Sequence, residues 1–235
     1  MKPIQSIAVM LIAGLSSLAT PQAQAGEQVI VVELFTSQGC SSCPPADALL
    51  GELAEMEGVL PLALHVDYWD YIGWKDNFAA PEYTARQKRY AHAAGKRMIY
   101  TPQIVIAGEA HVVGNRKNEV MDALYAQMER DAAVTLDMTR SGNAVTISLA
   151  AVDTVSGDMM INLVRYKVSE TVEIGRGENA GKTITYHHIV QEWQTIGAWD
   201  GVEQDLTAEV SSEGPVVAFV QAEGYGAILG AAVLR

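Results

Sequence analysis

Two cysteines stand three positions apart in a chain of 235 residues, and no other thiol accompanies them. Cys40 and Cys43 are separated by two serines and followed by Pro44 and Pro45. Such a pair can close a disulfide, exchange it with another thiol, or offer two soft ligands to a metal. Closing so small a loop removes little entropy from the unfolded chain, so a purely structural bridge is poorly motivated. Exchange needs one sulfur as a thiolate and a second to resolve the mixed disulfide, and the positive end of a helix favours the thiolate. On that logic Cys40 is the nucleophile and Cys43 the resolving thiol. The serines between them do not fix a redox poise.

The surrounding sequence supplies elements to hold such a pair. Residues 28–34 are β-branched and almost all apolar, as in a strand buried on both faces. Gly39 then permits unusual backbone angles just before Cys40. Pro44 and Pro45 fit a first helical turn, where their missing N–H groups have no intrahelical partner to lose. Leu49, Leu50, Leu53 and Met56 continue at helical spacing, which places the cysteines at a helix N-terminus. Residues 62–66 read as a second strand, with Pro61 favouring an edge position. A helical crossover makes the two strands parallel, so the aromatic stretch 67–74, with Tyr68 and Trp69, emerges on the cysteine side.

Residues 81–98 read as a helix whose Arg86, Lys88, Arg89, Lys96 and Arg97 form a solvated basic face. Thr101-Pro102 leads into strands 104–106 and 111–113, joined at a two-residue Gly108-Glu109 turn. A helix follows over 119–128. Beyond Asp131 apolar residues alternate in short runs between turn signals, which points to an antiparallel β-sandwich of about 100 residues.

Three segments carry a resemblance: residues 35–47 around the cysteines, 65–70 (His-Val-Asp-Tyr-Trp-Asp) and 100–103 (Tyr-Thr-Pro-Gln). They resemble the thioredoxin-like secreted bacterial proteins of the domain of unknown function 1223 family. That family has no established reaction, so the resemblance implies fold more than function. It implies an α/β thioredoxin-like domain over 26–131 followed by the β-sandwich over 132–235. It implies a cis bond at Pro102, with Thr101 and Pro102 offering backbone groups to an extended substrate peptide; the aromatic stretch with Tyr68 and Trp69 reads either as a peptide-binding wall beside the dithiol or as a packed loop cap. It also implies a buried carboxylate beneath Cys43, for which Glu33 is the candidate, taking the Cys43 proton during exchange.

Residues 1–25 read as a secretory signal peptide, with a basic start, an apolar core over 7–18 and an Ala23-Gln24-Ala25 cleavage site that makes Gly26 the first mature residue. This implies a secreted or periplasmic protein with no membrane anchor after cleavage, in a compartment where disulfides persist. A formal net charge of −12 argues against nucleic acid as a partner. The leading expectation is thiol-disulfide exchange on protein or peptide thiols, with a redox partner protein and no cofactor. The alternatives are a copper-binding or delivery protein using the same cysteines with His65 or His111, and a non-catalytic interaction module with a structural disulfide. The glycine-rich run 175–183 lacks phosphate-loop spacing and reads as a β-connection.

Overall fold

The computed structural model describes residues 28–152, 154–155 and 157–235, so the expected signal peptide and cleavage site lie outside the described residues. The chain begins with β1 (Ile30–Thr36), α1 (Pro44–Ala54), β2 (Val59–His65) and α2 (Pro81–Ala93), then β3 (Gln103–Ile106), β4 (Ala110–Val113) and α3 (Lys117–Met128). It continues through β5 (Val134–Ser141), β6 (Ala144–Ala151), β7 (Met159–Glu173), β8 (Thr183–Trp199), β9 (Gln204–Glu209), β10 (Val216–Ala222) and β11 (Ile228–Leu234).

These strands overturn the expectation of an α/β thioredoxin-like domain followed by an antiparallel β-sandwich. One mixed sheet of eight strands, in the order β11-β10-β7-β8-β2-β1-β3-β4, takes strands from both halves of the chain. The junction is a parallel contact between β2 and β8 in which Ala63 pairs with Ile189. The remaining strands, β5, β6 and β9, form a small second sheet. It packs Leu136, Val145 and Ile147 against Ile161, Leu163 and Val216 of the large one. Alternating runs in the sequence signalled β5, β6, β10 and parts of β7 and β8 but not β9 or β11, and alternation does not say which sheet a strand joins.

Pro61 is not at an edge, because β2 lies between β1 and β8. The missing proline N–H is tolerated because β2 and β8 share so little ladder. The Pro61 carbonyl is met instead by the His188 imidazole, Nδ1 to O 2.9 Å. Helix α2 also ends earlier than the basic run suggests: its last residue is Ala93, and Gly95 follows at φ +67°, a left-handed conformation that closes helices.

The alternation of β1 decides what each of its side chains can touch. Ile30, Val32 and Leu34 pack with Ala46, Leu49, Leu50 and Leu53 of α1. Val31 and Phe35 pack on the other face with Tyr83 and Tyr90 of α2. Each fully buried leucine of α1 contributes roughly 1.5–3 kcal/mol to this docking. It fixes the helix whose first turn carries the cysteines.

Candidate functional site

Cys40 and Cys43 form a disulfide. Cys43 is the N-cap residue of α1, and Pro44 and Pro45 occupy its first positions. Both cysteines are buried, whereas Ser41 and Ser42 between them are exposed. Gly39 serves close approach and not unusual backbone angles: a Cβ there would lie 3.1 Å from both Trp69 Cβ and Ile72 Cδ1.

The Thr101–Pro102 peptide is cis and lies beside the disulfide, with the Ser42 hydroxyl 3.5 Å from the Thr101 carbonyl. Trp69 joins this group, because its indole N–H donates to Thr101 Oγ1 at 2.8 Å. The Trp69 ring stacks on Tyr71, which is 81% exposed. Tyr68 turns away toward α2, where its hydroxyl donates to Gln87 Oε1, and burial pushes its pKa up to about 12. Of the sequence-derived residues, then, Cys40, Cys43, Thr101, Pro102 and Trp69 come together and Tyr68 sits behind them.

Glu33 does not lie beneath Cys43. Its odd position on β1 turns it to the α2 face, opposite α1. There Arg86 grips it with two bonds, Nε to Oε1 at 2.6 Å and Nη2 to Oε2 at 3.0 Å, and the Tyr90 hydroxyl donates to it at 2.5 Å. Arg86 is therefore not part of a solvated basic face. Burial opposes its charge, but the Glu33 carboxylate beside it raises its pKa above the ordinary arginine value.

A different carboxylate stands on the dithiol helix itself. Asp47 lies four residues after Cys43, one turn along the same side of α1. It is fully buried, and Thr36 at the end of β1 donates to its Oδ1 at 2.7 Å. Burial raises its pKa from the ordinary 3.8 to about 7, partly offset by the nearby His65 and the Thr36 hydrogen bond.

His65, at the end of β2, holds Asp76 at 2.7 Å through Nδ1. Asp76 also accepts the backbone N–H of Gln38 at 2.8 Å and of Phe78 at 2.9 Å. Burial alone would raise the Asp76 pKa, but His65 and these donors outweigh it and hold it below the usual carboxylate value. Tyr186 of β8 packs edge-on to His65, ring centroids 5.0 Å apart.

The C-terminal half also reaches over the disulfide. In the loop between β7 and β8, the Asn179 side-chain amide donates to the carbonyls of Gln38 and Cys40, both at 2.9 Å. Lys182 donates to Asn179 Oδ1 at 2.8 Å and fixes that amide's orientation. Glu178 accepts from the Ser41 N–H at 3.4 Å. Sequence reading found none of this strap, because no local pattern links residue 179 to residue 40. Asp47 carried a signal, its helical spacing from Cys43.

Among the described residues no group of three or more His, Cys, Asp or Glu side chains is arranged to hold a metal ion. His65 is engaged by Asp76, and His111 packs edge-on against Tyr90.

Comparison with known proteins gives a family but no reaction. No curated protein matches the chain. The crystal structure of a protein from Agrobacterium tumefaciens is similar, with 34% identity and a TM-score of 0.77 over 89% of this chain and 96% of that one. The family described as "Protein of unknown function (DUF1223)" matches residues 31–222, and the chain belongs to it.

Proposed function

We propose that this chain is a thiol-disulfide oxidoreductase, secreted or periplasmic, that acts through Cys40 and Cys43 on protein or peptide thiols and is returned to its starting state by a redox partner protein. The observation that supports this most is the Cys40–Cys43 disulfide at the first turn of α1, bordered by exposed Ser41 and Ser42 and by Thr101-Pro102. A bridge across two intervening residues does little for stability, while the helix N-terminus favours the thiolate that exchange requires. The signal-like leader supports an oxidising compartment.

In this reading a client thiolate attacks Cys40 Sγ. The Cys40–Cys43 bond breaks, a client–Cys40 disulfide forms, and Cys43 leaves as a thiolate that gains a proton. A second client thiol then displaces Cys40, so the client is oxidised by two electrons and the protein dithiol is reduced. The reverse sequence reduces a client disulfide. Thr101, Pro102 and Trp69 border the mixed disulfide and form the client-facing wall, with Tyr68 supporting it from behind. Because both cysteines are buried, attack requires the cover formed by Ser41, Ser42 and the 175–181 loop to shift.

The test is reduction of a disulfide-bonded test protein, and oxidation of a reduced one, by the purified chain in a glutathione buffer. Turnover is expected in at least one direction and is lost in Cys40→Ser, while Cys43→Ala accumulates a mixed disulfide with the client. Wild-type activity no greater than that of Cys40→Ser in both directions would sink the proposal. It would leave a disulfide that only holds its loop.

A further inference from the structure

Helix α2 meets strands β7, β8 and β10 around a cavity of about 540 Å³ that contains none of the residues beside Cys40 and Cys43. Its size falls among small-ligand sites, which are mostly apolar with a few converging polar groups. Met160, Trp193 and Tyr225 supply apolar surface, and Arg86 lies among them. Strands from the C-terminal half and a helix from the N-terminal half both line it, so neither half encloses the space alone.

Arg86 is 7% exposed. Its hold on Glu33, Tyr90 and Gln221 uses only Nε and Nη2. Nη1 has no hydrogen-bond partner among the described residues, yet it is not one of the sealed unpaired atoms, so its two N–H groups open to the cavity that Arg86 lines. A guanidinium carries all five N–H donors at every ordinary pH, and a largely buried donor left open calls for a reason. Ring contacts hold this one in place: Arg86 Cζ lies 4.0 Å from the Trp193 ring centroid and 5.3 Å from that of Tyr225. Tyr225 also steadies a second guanidinium. Arg89 donates to its hydroxyl at 2.6 Å and lies 5.6 Å from its ring centroid. The tyrosine does this from a left-handed backbone, φ +65°, a conformation that non-glycine residues keep chiefly at ligand and active sites.

Open donors on two fixed guanidiniums ask for a carboxylate on the ligand. A bare anion is nevertheless a poor occupant, because three carboxylates, Glu33, Glu82 and Glu223, stand around these two cations. Glu82 and Glu223 are exposed and belong to no ion pair among the described residues. Glu82, Arg86 and Arg89 follow one another at helical spacing on one face of α2, so acceptor and donors alternate along the same wall. We propose that this cavity binds a small zwitterion, an α-amino acid with a large apolar side chain. Its carboxylate meets Arg86 Nη1 and Arg89, its ammonium group meets Glu82 or Glu223, and its side chain packs against Met160, Trp193 and Tyr225. The site is independent of the exchange reading, and the failure of either leaves the other standing.

The test is calorimetric titration of the purified chain with L-phenylalanine, with 3-phenylpropionate, which lacks the ammonium group, and with phenethylamine, which lacks the carboxylate. Phenylalanine should bind, and each single-charge analogue should bind about tenfold more weakly or worse. Arg89→Met should weaken phenylalanine about tenfold and leave phenethylamine unchanged. Glu82→Gln with Glu223→Gln should bring phenylalanine down to the level of 3-phenylpropionate. Tyr225→Gly suits the left-handed backbone and removes the ring that both guanidiniums face, so it should weaken both acids. The wild type alone locates the site: the Trp193 indole N–H, which donates to Asn162 Oδ1 at 3.1 Å, should shift in nitrogen-15 NMR spectra on addition of phenylalanine, while that of Trp69 stays. No binding of phenylalanine at about 10 mM, equal affinity for the three compounds, or a silent Trp193 resonance would each overturn the proposal.

Discussion

Glu33 and Asp47 are both fully buried carboxylates in the N-terminal half, yet they sit in opposite electrostatic situations. Glu33 lies on the α2 face of the sheet inside a finished network. Arg86 supplies a full countercharge, Tyr90 donates to it, and Gln221 of β10 accepts from Arg86 and donates to Tyr90. The Arg86 guanidinium also lies 4.0 Å from the Trp193 ring centroid. Asp47 lies on the α1 face with one hydrogen bond, from Thr36, and an oxygen with no hydrogen-bond partner among the described residues. Pairing makes the first carboxylate part of a clamp that holds α2 and β10 to β1. The lack of pairing makes the second a group whose proton comes and goes near neutral pH. Burial alone therefore does not identify a chemical carboxylate; the state of its partners does.

The largest effect that tests this contrast is removal of the Glu33 partner. Arg86→Met keeps much of the side-chain volume but strands the Glu33 carboxylate in the sheet without its partner, and it should destabilise the protein by about 3–5 kcal/mol in urea unfolding. The double variant Glu33→Leu with Arg86→Met should recover most of that loss, because the cost lies in the uncompensated charge and not in the absence of the pair. Equal losses in the single and double variants would show that packing, and not charge, governs this region.

Asp47 should behave in the opposite sense. Its folded-state pKa is raised, so between the ordinary 3.8 and about 7 the folded protein holds a proton that the unfolded chain has released. Stability from this group is complete below about pH 4, falls as pH rises through that window and is gone above about pH 7. The rise corresponds to a cost on the order of 4 kcal/mol once the carboxylate is ionised. Asp47→Asn keeps the acceptor for Thr36 without the charge. It should therefore be more stable than the wild type by about 2–4 kcal/mol at pH 8 and indistinguishable from it at pH 4. Denaturant midpoints at the two pH values check this, and a constant difference between them would break the contrast with Glu33.

How far this contrast could be read from sequence depends on the range of the interactions. The burial of β1 and the cysteines at a helix start follow from local patterns, the cis Thr101–Pro102 bond follows from the family resemblance, and those elements stand where expected. The side of the sheet that Glu33 faces also follows from alternation, since Val32 and Leu34 had to meet α1 and an odd-numbered neighbour could not. Arg86 looked like one charge among five on a helix, and only the distant Glu33, Gln221 and Trp193 make it a core residue. The joining of β8 to β2, which merges the two halves into one sheet, rests on a single registered pair more than a hundred residues apart in the chain. No periodicity signals such a contact.

The smallest effect concerns access, and it separates the two regions once more. The Glu33 carboxylate is buried in the sheet, with its partners Arg86 and Gln221 lining a surface pocket, whereas the disulfide above Asp47 is closed by a loop whose hold is a few hydrogen bonds. Asn179 is 1% exposed and makes two of them, to the carbonyls of Gln38 and Cys40. Asn179→Ala deletes both while leaving Gly177 and its packing against Trp74 and Ile72 in place. Each net hydrogen bond is worth about 0.5–1.5 kcal/mol, so the variant should lose about 1–2 kcal/mol of global stability. The strap should open more often by the corresponding factor, on the order of fivefold to thirtyfold, and dithiothreitol should reduce the disulfide faster by up to that ratio. Lys182→Ala removes only the group that orients the Asn179 amide, so it should accelerate reduction less. An unchanged reduction rate in Asn179→Ala, with the stability loss present, would show that the strap braces the fold without covering the route to Cys40, and the path of attack would then lie over Ser41 and Ser42.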